Sequence, residues 1–256
     1  MKHHLFLLRE LVRRDFQSRY AGSLFGFLWS FVQPLFQLVL FTFVFSSVLK
    51  MSLLGERTDN FASFFFCGLL PWMAINEGTV RGATAITDNA AIVKKLRFPS
   101  QILVFTVVLA ALIHAAIAGI VFVVFLAIDG SLSVVTLPVL LFAVPVQVVL
   151  TVGIALALAA LNVFFRDTTQ FLGMVLQGWF FLTPIVYPLS LVPDEFRRWI
   201  MLNPLTTLVD LYRLALLGGT LDDVEGVIPL CVTATVVLVV GWLIFARLRP
   251  AFVDEL

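Results

Sequence analysis

Apolar residues fall along this chain in long unbroken runs, set off by short polar interruptions, and the lengths of those runs predict its architecture. Between Ile102 and Ile128, and again between Val134 and Phe165, no Asp, Glu, Lys or Arg occurs. Runs of that length meet the roughly 20 residues that a helix needs to cross a bilayer. Six spans are expected, over residues 24–49, 61–79, 100–128, 134–165, 169–187 and 227–245. Several exceed the minimum, so tilt, interruption or extension beyond the hydrocarbon is expected too.

Ahead of the first run, residues 4–20 place Leu5, Leu8, Val12 and Phe16 at helical spacing, with Arg9, Arg13 and Arg14 largely on other faces. That pattern predicts an amphipathic helix lying on a membrane surface. About two dozen mixed residues before the first long run do not fit a cleaved secretory signal, so this segment is expected to belong to the working protein. Residues 188–219 follow a different grammar. Pro193 leads Asp194 and Glu195 into a helical first turn, while Asn203 and Pro204 supply an N-cap and an N1 proline for a helix stopped by Gly218 and Gly219. Both pieces are too short to span and are expected as amphipathic or re-entrant segments at one surface. There is no internal repeat or low-complexity linker. The expectation is all-α: one polytopic transmembrane domain over residues 1–256, with six spans, the interfacial helix, a short helix in the 87–98 loop and short helices before the last span.

Composition agrees with the runs. Apolar residues make up 61% of the 256 and charged residues 13%, with mean hydropathy +1.04, well outside the balance of soluble domains. The net charge of +1 conceals an asymmetry. With the N-terminus inside, twelve of the 17 basic residues are cytoplasmic: Lys2, Arg9, Arg13, Arg14 and Arg19, then Arg81, Lys94, Lys95 and Arg97, then Arg166, Arg247 and Arg249. Lys50, Arg57, Arg197, Arg198 and Arg213 fall outside. The positive-inside rule therefore puts both termini in the cytoplasm of a multi-pass inner-membrane protein, which an even number of spans allows.

Enzyme constellations are not found. The sequence holds no G-x-S-x-G elbow, no H-E-x-x-H and no phosphate-binding loop, so this chain is not expected to hydrolyse ATP by itself. Cys67 and Cys231 lie in apolar segments without metal-type spacing and read as free thiols. His3 and His4 are not expected to hold a metal. His114, inside the third span, reads as a packing or interhelical hydrogen-bonding residue, and Glu77 reads as the i,i+4 ion-pair partner of Arg81.

Two features leave a choice open on the residues alone. In the 87–98 loop, Asp88 or Asn89 can cap a short helix whose Ile92, Val93 and Leu96 form an apolar face beside Lys94, Lys95 and Arg97. It is either a plug for a partner's socket or a basic loop that only sets topology. Trp29, Trp72, Trp179 and Tyr187 sit near span ends, where they serve an interfacial belt or stack on sugar rings.

Several strings resemble the membrane subunits of type-2 ABC exporters of O-antigen, capsular polysaccharide and teichoic acid. RYAGSLFGFLWSFVQP, through Arg19, Tyr20, Trp29 and Pro34, is similar to that family's opening. GLLPW with Glu77, NAAIVKKLRFP, LNVFFRD, TPIVYP and NPLTTLVDLYR follow in the family's order. The resemblance implies a homodimer, joined to two copies of a separate ABC ATPase that binds ATP and Mg; this chain binds no cofactor or metal and has no catalytic residues. It further implies coupling to the ATPase through Asn89, Ile92, Val93, Lys94, Lys95 and Leu96. Pro188, Asn203, Pro204, Tyr212 and Arg213 would belong to an outward gate, and Arg13, Arg14, Arg19 and Tyr20 to the substrate entrance. Trp29, Trp72, Trp179 and Tyr187 would line a conduit for a lipid-linked glycan, surrounded by membrane lipids and with no nucleic acid among the partners. The alternatives are the same architecture carrying a drug or simple lipid, and an intramembrane lipid-modifying enzyme.

Overall fold

A computed structural model describes residue 8 and residues 10–14, 28–50, 53, 55–95, 99–221 and 224–256. Residues 10–14 are helical. After them come α1 (Trp29–Thr42), α2 (Phe61–Thr84), α3 (Ala90–Lys95), α4 (Gln101–Asp129), α5 (Leu140–Phe164), α6 (Thr168–Leu182), α7 (Asp194–Met201), α8 (Pro204–Leu217), α9 (Val227–Leu248) and α10 (Phe252–Glu255). A π-helical stretch, Phe43–Val48, prolongs α1, and a 3-10 turn, Leu137–Val139, leads into α5. No strand occurs among the described residues.

Among the described residues, three helical stretches are long and apolar enough to cross a membrane: Gln101–Asp129, Leu137–Phe164 and Val227–Glu255. At 1.5 Å per residue a 29-residue helix reaches about 44 Å, beyond the roughly 30 Å hydrocarbon layer, so tilt or protrusion follows. α2 is 24 residues long and runs on to Thr84, five residues past its expected end. α6 is shorter than its predicted run, since it stops at Leu182. Pro184 disfavours helical geometry at Thr183, whose backbone is extended (ψ 133°), so residues 183–187 leave the helix.

α2 is the hub. Asn60 caps it, its Oδ1 accepting from Ala62 N at 3.0 Å, and 17 of its 24 residues are buried. It packs against α4, α5, α6 and α8. Pro71 interrupts its ladder of hydrogen bonds, and Gln147 of α5 approaches at that point, its Nε2 donating to the Pro71 carbonyl at 3.2 Å. Tyr212 of α8 in turn donates to Gln147 Oε1 at 2.5 Å. With Gln147 1% and Tyr212 8% exposed, this relay fixes α2, α5 and α8 where an unmatched polar group would be costly. α5 and α9 meet at Gly153 and Gly241, where a Cβ on Gly241 would overlap the Gly153 carbonyl oxygen; small residues are what permit so close an approach of two helices.

Residues 188–219 fold into the two short helices that their composition predicted. α7 is the amphipathic piece, with Phe196 and Trp199 exposed beside its charges. α8 turns 85° from α7 and buries eleven of its fourteen residues.

Candidate functional site

Between α1, α2, α4 and α6 lies a cavity of about 570 Å³. Apolar runs supply its walls, yet its lining is mixed: Phe41, Trp72 and Phe180 provide ring surfaces, while Gln37, Asn76 and Gln177 provide amides. Glu77 and His114 complete it. Glu77 receives two cationic or donor groups on its two oxygens, with Arg81 Nη1 at 3.4 Å from Oε1 and His114 Nδ1 at 2.7 Å from Oε2. The Glu77 carboxyl therefore bridges Arg81 on its own helix and His114 on α4. Both readings of the sequence hold here, since Glu77 pairs along its helix and His114 bonds between helices. Their union was missed because the partners lie 37 residues apart on different spans. The available signal was general: an acid and a histidine, each isolated in an apolar run, tend to find one another.

The chemistry of this cavity is that of hydroxyl recognition. Amide side chains both donate and accept, a buffered carboxylate accepts, and aromatic faces cover the apolar sides of a ring. Trp72 meets Trp179 edge-on with centroids 6.4 Å apart, and lies 5.4 Å from Phe180. Trp179 Nε1 donates to Asn203 Oδ1 at 2.9 Å, so one of the predicted conduit aromatics connects directly to the predicted gate and Trp72 reaches it through Trp179. Tyr187 stands apart, its hydroxyl donating to the Phe181 carbonyl at 2.9 Å. The side chain of Trp29 lies outside the described residues.

Asn203 behaves as its sequence position predicts and does more. Its Oδ1 accepts from Leu205 N at 3.0 Å as the cap of α8, with Pro204 at N1. Its Nδ2 donates to Thr183 Oγ1 at 2.9 Å and to the Leu182 carbonyl at 3.3 Å. Pro188 is buried at the entry to the turn before α7. Arg213 does not lie at an exposed rim: it is 3% exposed, with its guanidinium carbon 3.6 Å from the Phe64 ring centroid and Nη2 donating to the Pro184 carbonyl at 2.7 Å. Such a stacked, hydrogen-bonded cation is a fixed part of the fold. Above it, burial pushes the Glu56 carboxyl up, opposed by the charge of Arg213, and Arg57 Nη1 ties the loop to the Gly218 carbonyl at 2.8 Å. The sequence reading named neither residue of that loop as part of the site.

α3 forms where the 87–98 loop predicted a short helix, with Asn89 directly before its first residue. The Asn89 side chain turns back and donates to the Ala85 carbonyl at 2.9 Å, while its backbone carbonyl receives Ile92 N and Val93 N. Lys94 is exposed and Ile92 half-buried. Val93, half-buried like Ile92, packs against the chain's own apolar cluster. The Lys95 side chain and Leu96 lie outside the described residues. Of the entrance set, Arg13 and Arg14 are exposed; Arg19 and Tyr20 are outside the described residues. Cys67 and Cys231 are free thiols.

Comparison with known proteins gives these features a setting. The ABC-2 type transporter family matches residues 7–217. The chain is 35% identical over 254 residues to an O-antigen export system permease protein, RfbA, of Myxococcus xanthus, covering 98% of this chain and 95% of the relative. It is 30% identical over 267 residues to the RfbA permease of Klebsiella pneumoniae, covering 100% and 98%. It is 20% identical over 246 residues to the polysialic acid transport protein KpsM of Escherichia coli, covering 96% and 94%.

Proposed function

This chain belongs to the ABC-2 type transporter family, and from that premise we propose that it is the membrane subunit of an ATP-driven exporter of a lipid-linked polysaccharide. The family makes it a multi-pass transport permease rather than an enzyme. Full-length similarity to two O-antigen export permeases carries the cargo class. The cavity supports it, because rings and amides suit a hydroxyl-rich chain better than a simple lipid.

In this reading six spans cross the inner membrane: α1 with its π-helical extension, α2, α4, α5, α6 and α9. Both termini and α3 face the cytoplasm, and α7 and α8 face outward. Two copies of the chain enclose the conduit. Two copies of a separate ABC ATPase, which bind ATP and Mg, act on α3 through Asn89, Ile92, Val93, Lys94, Lys95 and Leu96. Arg13, Arg14 and Arg19, beside Tyr20, draw the diphosphate of the lipid carrier toward the entrance, as guanidinium groups favour phosphate oxygens. Trp29, Trp72, Trp179 and Tyr187 offer sliding surfaces, and the assembly of Pro188, Asn203, Pro204, Tyr212 and Arg213 closes the outward end.

Affinity purification of the chain from its native membrane tests the premise of a partner: it retrieves an ABC ATPase in equal copy number. Retrieval of the permease with no ATPase contradicts the proposal.

A further inference from the structure

The segment that follows the last span returns to the underside of the bundle. After α9 the chain turns through Arg249–Ala251 into α10, and α10 packs against both α3 and α5. Phe252 is its anchor. Only 1% of this side chain is exposed; its ring stands edge-on to Phe245 at 5.4 Å and tilted against Phe164 at 6.3 Å. Val93 of α3 packs against the same apolar cluster.

α3 needs such support. Six residues form far too short a helix to persist alone, so its order comes from tertiary contacts. Packing at its start is incomplete. A cavity of about 330 Å³ separates Thr84, Thr87 and Ala90 from Asn162 and Arg166, with Glu255 also on its wall, and the bond across it from Asn162 Nδ2 to Thr87 Oγ1 is long at 3.4 Å. The apolar contacts with α10 are therefore what hold α3 in place.

We infer that Phe252 is a positioning residue for energy coupling, seating α10 beneath α3 so that displacement of α3 is passed to α5 and α9. The inference rests on the reading of α3 as the ATPase contact. Phe252 touches neither cargo nor nucleotide.

The test uses the full-length permease with its ATPase in lipid vesicles, measuring ATP hydrolysis and glycan export together. Phe252→Ala retains the ATPase and its hydrolysis, but export per ATP falls by about fivefold or more; Phe252→Met, apolar and of similar volume, restores it. A nitroxide on exposed Ala91 gains a mobile component in Phe252→Ala and loses it in Phe252→Met. Should Phe252→Ala fail to accumulate, Phe252→Val is measured with the same expectation. Unchanged export per ATP, or an unchanged nitroxide spectrum, overturns the inference. An Ile92→Ala, Lys95→Ala variant separates the two levels. If it is uncoupled while Phe252→Ala is normal, only the brace fails; if it is fully coupled, the α3 reading fails and takes the brace with it.

Discussion

Trp179 and Asn203 share one oxygen between two jobs. Asn203 Oδ1 accepts the indole N–H of Trp179 at 2.9 Å and the backbone N–H of Leu205 at 3.0 Å, so the cap of α8 is also the latch that holds it to α6. Since Trp179 in turn abuts Trp72 in the cavity wall, a glycan displacing Trp72 would disturb the cap of α8. Asn203→Ala removes both bonds, together with those from Nδ2 to Thr183 and Leu182. Loss of the cap costs about 1 kcal/mol, and resting permeability to small solutes rises in vesicles. Trp179→Phe keeps the ring and the cap and removes only the latch, so it shows a smaller leak. A tight Asn203→Ala variant contradicts the latch.

Tyr212 and Gln147 carry the second prediction. Tyr212→Phe leaves Gln147 Oε1 without its phenolic donor in a buried site, a loss of about 1–3 kcal/mol, read as a lower unfolding midpoint in detergent. Gln147→Leu removes the acceptor as well, so the double variant is less destabilised than the two single changes added together. Strict additivity would show that the relay through Pro71 is not a unit.

The pairing of Glu77 with His114 is tested by the same logic applied to function. Glu77→Gln weakens the pull on both Arg81 and His114 and lowers export while ATPase binding persists. His114→Ala lowers it too, and the two changes are non-additive because each breaks the same contact. Wild-type export in both variants would reduce the cluster to packing.

Much of this was legible in the chain. Asn203 and Pro204 announce the start of α8 and Gly218 its stop, because capping and proline geometry are local. The early end of α6 was also written locally, in Pro184, but the apolar run through Tyr187 outweighed it. What local patterns do not reveal is where a residue goes once helices pack. The charge count put Arg213 with the outer residues, and no window around it contains Phe64, the ring that receives it. Val93 reads as a knob for a partner, yet it packs against an internal cluster that includes Phe252, 159 positions later. The cavity follows the same rule: Gln37, Asn76 and Gln177 are unremarked amides until α1, α2 and α6 bring them to one wall.

At the entrance, replacing Arg13, Arg14 and Arg19 together with Gln removes the charge proposed to attract the diphosphate. Export falls at physiological salt, with assembly and ATP hydrolysis unchanged, and the difference from wild type narrows as ionic strength rises. Normal export by the triple variant sinks the entrance role.

The most direct test of the whole account is the location of glycan in cells from which this gene has been deleted. Lipid-linked polysaccharide accumulates on the cytoplasmic face and disappears from the surface, and the intact chain, but not one lacking α3, restores surface display. Undiminished surface glycan in the deletion strain, with no internal accumulation, would contradict it.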